Sequence, residues 1–234
     1  MVENRLSFLV HHNLADGTKL QHTLLREKAI ERLRDYIVSG QFPPGTKLVE
    51  REVADLLGVS RAPVRDALME LEKEGLIDTR STGRYVIELA VSDIRELYQV
   101  RHTLERLAVE LAAQNTCAKN QTELGRRLKA LEHAVADQDR EQYVIADVET
   151  HWSIWRQSGN KHLFRMLSSM VGPIFMFVAN NAGDLDWNQT LTQHQTLLRA
   201  IQSGDVKGAL EHLDVHMADA LEHSVQSWKQ RDAS

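Results

Sequence analysis

Hydrophobic positions recur at helical spacing over most of the chain. From residue 23 to residue 39, apolar side chains return every three or four positions, which predicts an amphipathic helix. The stretch SGQFPPGTKL then interrupts this period with two prolines and two glycines. A short helix over 50–57, stopped by Gly58, is predicted to precede another helix in VSRAPVRDALMELEKEG, which Ser60 can cap.

The hydrophobic period changes in the next stretch, LIDTRSTGRYVIEL. Two short apolar runs flank a Ser-Thr-Gly turn, which predicts a β-hairpin. Three helices followed by a hairpin make a winged helix-turn-helix, which we place at residues 23–90. Residues 1–22 show no clear period and are predicted to form an N-terminal extension.

Beyond residue 90 every apolar pattern is helical. Ser92 is predicted to cap the first of these helices, and short polar joints such as QSGNK and QSGDVKG separate the runs. The predicted helices span 93–114, 121–137, 140–157, 161–180, 187–202 and 206–230. Six helices within residues 91–234 predict an all-α antiparallel bundle with its own core. The predicted fold class is therefore mainly α.

Composition and charge narrow the class of protein. A hydrophobic fraction of 42% and a charged fraction of 26% suit a globular core. The single cysteine, Cys117, leaves no internal disulfide, and no apolar run approaches the roughly 20 residues that span a bilayer. With no signal-peptide pattern at the N-terminus, we expect a cytoplasmic protein that does not contact a membrane. Because the net charge is −5, any DNA binding must come from a local basic cluster.

A local basic cluster does occur in the predicted helix-turn-helix. The second helix of this motif lies in the major groove, where its N-terminal residues reach base edges. Arg61 and Arg65 are four positions apart on that helix, and Arg51 on the preceding helix can approach the same region. Ser60 can offer a phosphate its hydroxyl or backbone N–H at the helix start. Gly83 lets the backbone of the wing come close to the minor groove.

The alternative is a solvated helix surface on which these arginines pair with nearby acids, namely Glu50, Glu52 and Asp66. The stretch SGQFPPGTKLVEREVADLLGVSRAPVRDALMELEKEGLI, however, closely resembles the DNA-binding domain of the GntR family of bacterial transcription regulators. That resemblance implies that the three arginines contact double-stranded operator DNA and that Gly83 is the wing glycine. The family often has a threonine where this chain has Ala62, which would remove one phosphate contact.

A second group of polar residues lies in the predicted bundle. Asp147 and His151 stack on one face of a helix, while His194 and His216 belong to two other helices. If these residues face inward, one carboxylate and three imidazoles can fill four positions around a divalent ion and leave one or two positions open. The Asp147–His151 pair by itself is also compatible with a coincidence of helix spacing.

The C-terminal half resembles the FCD effector domain of FadR-type GntR regulators, in the smaller VanR-like branch. The resemblance is carried by SDIRELYQVRHTLERLAVELAA, DVETHWSIWRQSGNKHLF and QHQTLLRAIQSGDVKGALEHLDVHM. It implies a divalent metal, zinc first with nickel or manganese as alternatives, held by Asp147, His151, His194 and His216. It also implies that Arg101 binds the effector, although a salt bridge with Glu105 is an equal alternative. Thr150 replaces an aromatic residue that is common in the family.

These observations lead to one main hypothesis and two alternatives. The main hypothesis is a transcription regulator, not an enzyme, whose symmetric homodimer binds a palindromic operator and responds to a small organic acid. Repression is the commoner mode in this family. The apolar segment SSMVGPIFMFVANNAGD predicts either an apolar portion of the effector or bundle and dimer core. The alternatives are a metal-dependent enzyme acting on a small organic acid and a sensor of the metal itself.

Overall fold

The computed structural model describes residues 17–170 and 186–232, and the side chains within 23–170 and 186–229. The chain divides into two compact units, Met1–Glu88 and Leu89–Ser234. Most of the predicted N-terminal extension, and Phe175 and Phe177 of the apolar segment, lie outside the described residues. Among the described helices, none combines the length and the apolar character that crossing a bilayer requires.

The first unit is a winged helix-turn-helix, as predicted. Its helices are α1 (Gly17–Val38), α2 (Glu50–Leu57) and α3 (Arg61–Lys73), and its strands are β1 (Lys47–Leu48), β2 (Ile77–Arg80) and β3 (Gly83–Val86). The strands form an antiparallel sheet in the order β1-β3-β2, with Ile77 opposite Val86. The apolar faces of α1 and α3 form the core of this unit, in which Leu33, Val64 and Leu68 are completely buried.

Three local expectations for the first unit need correction. Helix α1 begins at Gly17, six residues before the predicted start. The prediction missed this first turn and a half because GTKLQH contains only one strongly apolar residue and so shows no hydrophobic period. Strand β1 was not predicted, since two residues are too few to show an alternating pattern. Ser60 does take the N-cap position of α3, but its side chain forms no capping hydrogen bond.

The second unit is a helical bundle, which confirms the predicted fold class. Its described helices are α4 (Val91–Gln114), α5 (Ala118–Ala136), α6 (Arg140–Gln157), α7 (161–170), α8 (Trp187–Ser203) and α9 (Val206–Asp232). Helix α4 packs against α6, α8 and α9, and α5 packs against α6 and α8. The core between them includes Trp155, Leu197 and Leu213, each at most 1% exposed.

Two predicted helix starts in the second unit were wrong. Ser92 is not the N-cap of α4, because the helix begins at Val91 and Ala90 takes the N-cap position. The Asp93 carboxylate accepts a hydrogen bond from the backbone N–H of Ala90 at 2.7 Å. Helix α5 begins at Ala118, three residues before the predicted start. Neither change alters which faces of the bundle helices point inward.

Candidate functional site

The predicted DNA-contacting residues lie at the start of α3 and on the neighbouring elements of the first unit. Arg51, Ser60, Arg61 and Arg65 are all exposed. Arg61 donates a hydrogen bond from Nη2 to Glu50 Oε2 at 3.2 Å, so the pairing with an acid that the alternative predicted does occur at this residue. Arg51 and Arg65 form no ion pair with any side chain that the structure describes. Since an exposed ion pair contributes little free energy, the Arg61–Glu50 pair leaves Arg61 able to exchange partners.

The wing also carries positive charge, close to a glycine with a positive φ. Gly83 has φ +134°, and a Cβ added there would lie 3.1 Å from Cε of Lys47 on β1. Lys47 and Arg80 both lie against the ring of Tyr85, at 5.9 and 4.9 Å from its centroid. Glycine is therefore favoured here by the backbone conformation, independently of any contact with DNA.

Three of the four predicted metal ligands converge in the bundle. His151 on α6, His194 on α8 and His216 on α9 are 3%, 0% and 5% exposed. Their ring centroids lie 4.6 to 5.5 Å apart. One ring nitrogen of each lies within 4.8 Å of a ring nitrogen of the other two. Nitrogen ligands around a tetrahedral zinc ion lie about 3.4 Å apart, so the three rings enclose a space of the right size for a metal ion.

Hydrogen bonds at Nδ1 orient all three imidazoles. His151 Nδ1 lies 3.0 Å from Glu105 Oε2, and His194 Nδ1 lies 2.9 Å from the backbone oxygen of Thr190. His216 Nδ1 lies 3.2 Å from Gln193 Oε1. Because these three oxygens accept hydrogen bonds, each Nδ1 is the donor, and a neutral ring then keeps its lone pair on Nε2.

The fourth predicted ligand, Asp147, approaches the cluster from the solvent side. Its side chain is 23% exposed, and its Oδ1 lies 3.2 Å from His194 Nε2. That distance fits an electrostatic contact, but the geometry does not make a hydrogen bond, and His194 Nε2 is buried without a hydrogen-bond partner among the described residues. A buried nitrogen whose lone pair accepts no hydrogen bond destabilises the folded state unless another group, such as a metal ion, binds it.

Electrostatics keep the cluster in the form that binds metals. Burial lowers the pKa of His194, and the nearby His151 lowers it further, while Asp147 opposes the shift. The pKa of His216 is lowered well below its usual value by burial, by His194 and His151, and by Arg101. Neutral imidazoles are the ligand form. The unpartnered Nε2 of His194, the lowered pKa values of His194 and His216, and the nearby carboxylate of Asp147 therefore fit a divalent metal ion.

A cavity of about 270 Å³ adjoins the cluster. Asp147, His151 and His216 line it, together with Arg101 and several polar residues, namely Tyr98, Tyr143, Gln189, Thr190, Gln193 and Ser224. The Tyr143 hydroxyl is buried and forms no hydrogen bond within the described residues. Burial raises the pKa of Tyr143, so its hydroxyl stays protonated and able to donate.

The salt bridge that the sequence offered as one alternative for Arg101 is present, and Arg101 also lines the cavity. Its Nε donates to Glu105 Oε1 at 2.6 Å, which is the predicted salt bridge within α4. The same guanidinium lines the cavity, and its terminal nitrogens form no hydrogen bond to any described residue. The salt bridge therefore uses one edge of the guanidinium and leaves the other edge to the cavity.

Sequence reasoning missed the role of Glu105. This side chain is completely buried, and it touches both Arg101 and His151. Burial opposes its ionisation, but Arg101 and then His151 outweigh that effect, so the pKa of Glu105 lies below its usual range. The spacing of four residues pointed to Arg101 alone, because His151 is 46 residues away along the chain.

Comparisons with known proteins identify the family of both units. The description of bacterial regulatory proteins of the gntR family matches residues 25–87, and that of the FCD domain matches residues 96–219. The HTH-type transcriptional regulator YdhC of Bacillus subtilis is 30% identical over 82% of this chain and 87% of its own length. The gluconate operon transcriptional repressor of the same organism is 27% identical over 84% of this chain and 83% of its own length.

A solved structure shares the fold. The structure of McbR/YncC from Escherichia coli superposes with a TM-score of 0.72 at 24% identity, covering 87% of this chain and 98% of that protein. The relatives are named as transcription regulators and not as enzymes. The chain belongs to the GntR family of bacterial transcription regulators, in which a DNA-binding winged helix-turn-helix is joined to a ligand-binding FCD effector domain.

Proposed function

We propose that this regulator is a repressor whose bundle binds a small carboxylate effector at a metal centre and thereby changes its affinity for operator DNA. The observation that carries the proposal is the convergence of three buried imidazoles beside a cavity that also exposes an arginine edge. A relative named as a repressor of a gluconate operon supports the direction of control.

The metal would be held by Asp147, His151, His194 and His216. Three imidazoles and one carboxylate form a donor set that suits zinc, with nickel and manganese as the alternatives that elemental analysis must separate. A bound ion of this kind supplies a fixed positive charge and an open coordination position to which a carboxylate oxygen can bind. Asp147, His151 and His216 line the cavity, so a bound acid would reach the ion from there.

Arg101 would bind the same acid from another side. A guanidinium edge forms two parallel hydrogen bonds with a carboxylate, and both terminal nitrogens of Arg101 are available for this. The cavity volume of about 270 Å³ lies at the lower end of the volumes of small-molecule sites, so the effector is small. The buried Tyr143 hydroxyl offers a donor to a second oxygen of the ligand, because it has no hydrogen bond of its own.

DNA binding is assigned to Arg51, Ser60, Arg61, Arg65 and Gly83. We place the DNA-binding domain at residues 23–90 and the effector and dimerisation domain at 91–234. A symmetric homodimer would present two α3 helices to the half-sites of a palindromic operator in the cytoplasm. For a complete switch, the effector must favour one conformation over the other by about 5.5 kcal/mol.

Operator binding by the purified full chain tests this function. A thermal-shift screen of small organic acids against zinc-loaded protein identifies a ligand, and fluorescence anisotropy then measures operator binding with and without it. We expect the selected acid to weaken operator binding in the wild type and to have much less effect on Arg101→Gln. Operator binding that follows zinc alone, with no effect of any acid, would contradict the effector proposal and favour a metal sensor.

A further inference from the structure

Glu105 makes two contacts that belong to different parts of the proposed site. Its Oε1 accepts a hydrogen bond from Nε of Arg101 at 2.6 Å, and its Oε2 lies 3.0 Å from Nδ1 of His151. The side chain is 0% exposed, so water does not compete for either oxygen. One carboxylate thus links the arginine edge of the cavity to the histidine cluster.

The contact with His151 decides which ring nitrogen is available to a metal. One oxygen of the Glu105 carboxylate accepts a hydrogen bond from Nε–H of Arg101, and the other oxygen lies against Nδ1 of His151 as a second acceptor. His151 must therefore carry its proton on Nδ1, which leaves the Nε2 lone pair free to bind a metal. A ligand histidine that donates its Nδ1–H to a carboxylate has its tautomer fixed and becomes more basic at Nε2.

The contact with Arg101 fixes the plane of its guanidinium. The Nε–H bond to Oε1 sets the direction in which the terminal nitrogens point, and the Tyr98 ring lies 5.6 Å from Cζ of Arg101. These terminal nitrogens have no partner among the described residues, and the residue lines the cavity. An unoriented arginine would lose side-chain entropy when it binds an anion, whereas a fixed one has already lost it.

We propose that Glu105 is a positioning residue that couples metal binding to carboxylate binding. The inference rests on the proposed function and deepens it. The Nδ1–H···Oε2 bond would become stronger if Nε2 of His151 held a metal ion, and Glu105 would then hold Arg101 more firmly in place. Because coupling between two ligands is reciprocal, a bound carboxylate must raise the affinity for the metal by the same factor.

The test compares Glu105→Gln with a matched control, Glu149→Gln. Glu149 is 7% exposed and pairs with Arg127 through Nη1 at 2.5 Å, so it too is a buried acid held by an arginine in the same bundle. Its carboxylate is not hydrogen-bonded to any of the three histidines in the described structure. The control therefore reports the general effect of neutralising a buried, paired glutamate.

Two measurements on the full chain separate positioning from stability. Competition with a chelator gives the zinc affinity of each variant, and ¹⁵N resonances of the histidine rings give the tautomer of His151 in metal-free protein. We expect Glu105→Gln to lower zinc affinity about 10- to 100-fold and to shift His151 away from the Nδ1–H tautomer. We expect Glu149→Gln to leave both unchanged, even if both variants melt at similarly reduced temperatures.

Acetate, as the simplest carboxylate probe, tests the coupling. Its addition should raise the zinc affinity of the wild type, and raise that of Glu105→Gln by a clearly smaller factor, because only direct binding of acetate to the ion then remains. Should Glu105→Gln fail to fold, Glu105→Asp takes its place, because its shorter side chain cannot reach Arg101 and His151 together and should likewise reduce the acetate effect. Equal zinc affinity, tautomer and acetate effect in wild type and variant would overturn the inference while leaving the metal centre intact. A wild type that binds neither zinc, nickel nor manganese at the three histidines would overturn both proposals.

Discussion

Replacement of His194 by leucine should have opposite consequences in metal-free and zinc-loaded protein. His194 is completely buried, and its Nε2 has no hydrogen-bond partner among the described residues. Without a metal, that orphaned nitrogen costs about 1–3 kcal/mol, and the Nδ1 hydrogen bond to Thr190 returns about 1 kcal/mol. Leucine removes both contributions at similar volume. We therefore expect metal-free His194→Leu to be more stable than the wild type by about 0–2 kcal/mol.

Zinc changes this balance because it binds only the folded state. At a free concentration 100-fold above its dissociation constant, a ligand adds about 2.7 kcal/mol to the free energy of unfolding. For a unit of this size, 1 kcal/mol corresponds to about 2–4 °C, so zinc should raise the melting temperature of the wild type by about 5–11 °C. The leucine variant lacks one of the four proposed ligands and should gain little.

Thermal unfolding with a chelator and with zinc measures this difference. His212→Ala is the matched control, since His212 is an exposed histidine on α9, the helix that also carries His216. The control should gain as much from zinc as the wild type does. An equal zinc shift in His194→Leu and wild type would refute the reasoning, because the metal would then bind elsewhere.

Further variants test the other assignments. We expect Arg61→Ala and Arg65→Ala each to weaken operator binding by about 1–3 kcal/mol without changing the melting temperature of the bundle. Unchanged sequence-specific binding in both variants would show that α3 is not the helix that contacts the bases. Tyr143→Phe should leave the ligand-free protein as stable as the wild type and weaken the acid selected by thermal shift by about 1 kcal/mol; equal affinity would show that the hydroxyl does not contact the ligand. The pKa values of His194 and His216 are lowered in the folded protein, so below a pH of about 6.5 the unfolded chain binds more protons than the folded one. Metal-free protein should therefore lose stability as the pH falls below that value, at about 1.4 kcal/mol per pH unit for each of the two histidines. A melting temperature independent of pH between 7 and 5 would contradict that expectation.

The sequence predicted the architecture where long patterns repeat. Helices α2, α6 and α8 begin and end within a residue of their predicted limits, because each has a capping or terminating residue, namely Gly58, Asp139 and Asp186. Short or weakly patterned features were missed. The two residues of β1 show no alternation, and Asp93 rather than Ser92 satisfies the start of α4, a choice that depends on side-chain reach.

The candidate site also combines residues that the sequence predicted with a contact that it did not. Local motifs were enough to single out Asp147, His151, His194 and His216, and the structure places the three histidines together. The link from Glu105 to His151 could not be read from spacing, because it joins α4 to α6 through the packed interior. An acid paired with an arginine one turn away is a common local pattern, and only packing reveals a second partner.

Anomalous X-ray diffraction at the zinc absorption edge, from crystals of the full chain grown with zinc, tests the metal centre most directly. The account predicts a strong anomalous peak bonded to Nε2 of His151, His194 and His216, with Asp147 as the fourth protein ligand. A map with no peak between the three imidazoles, or with zinc bound only to exposed histidines, would contradict it.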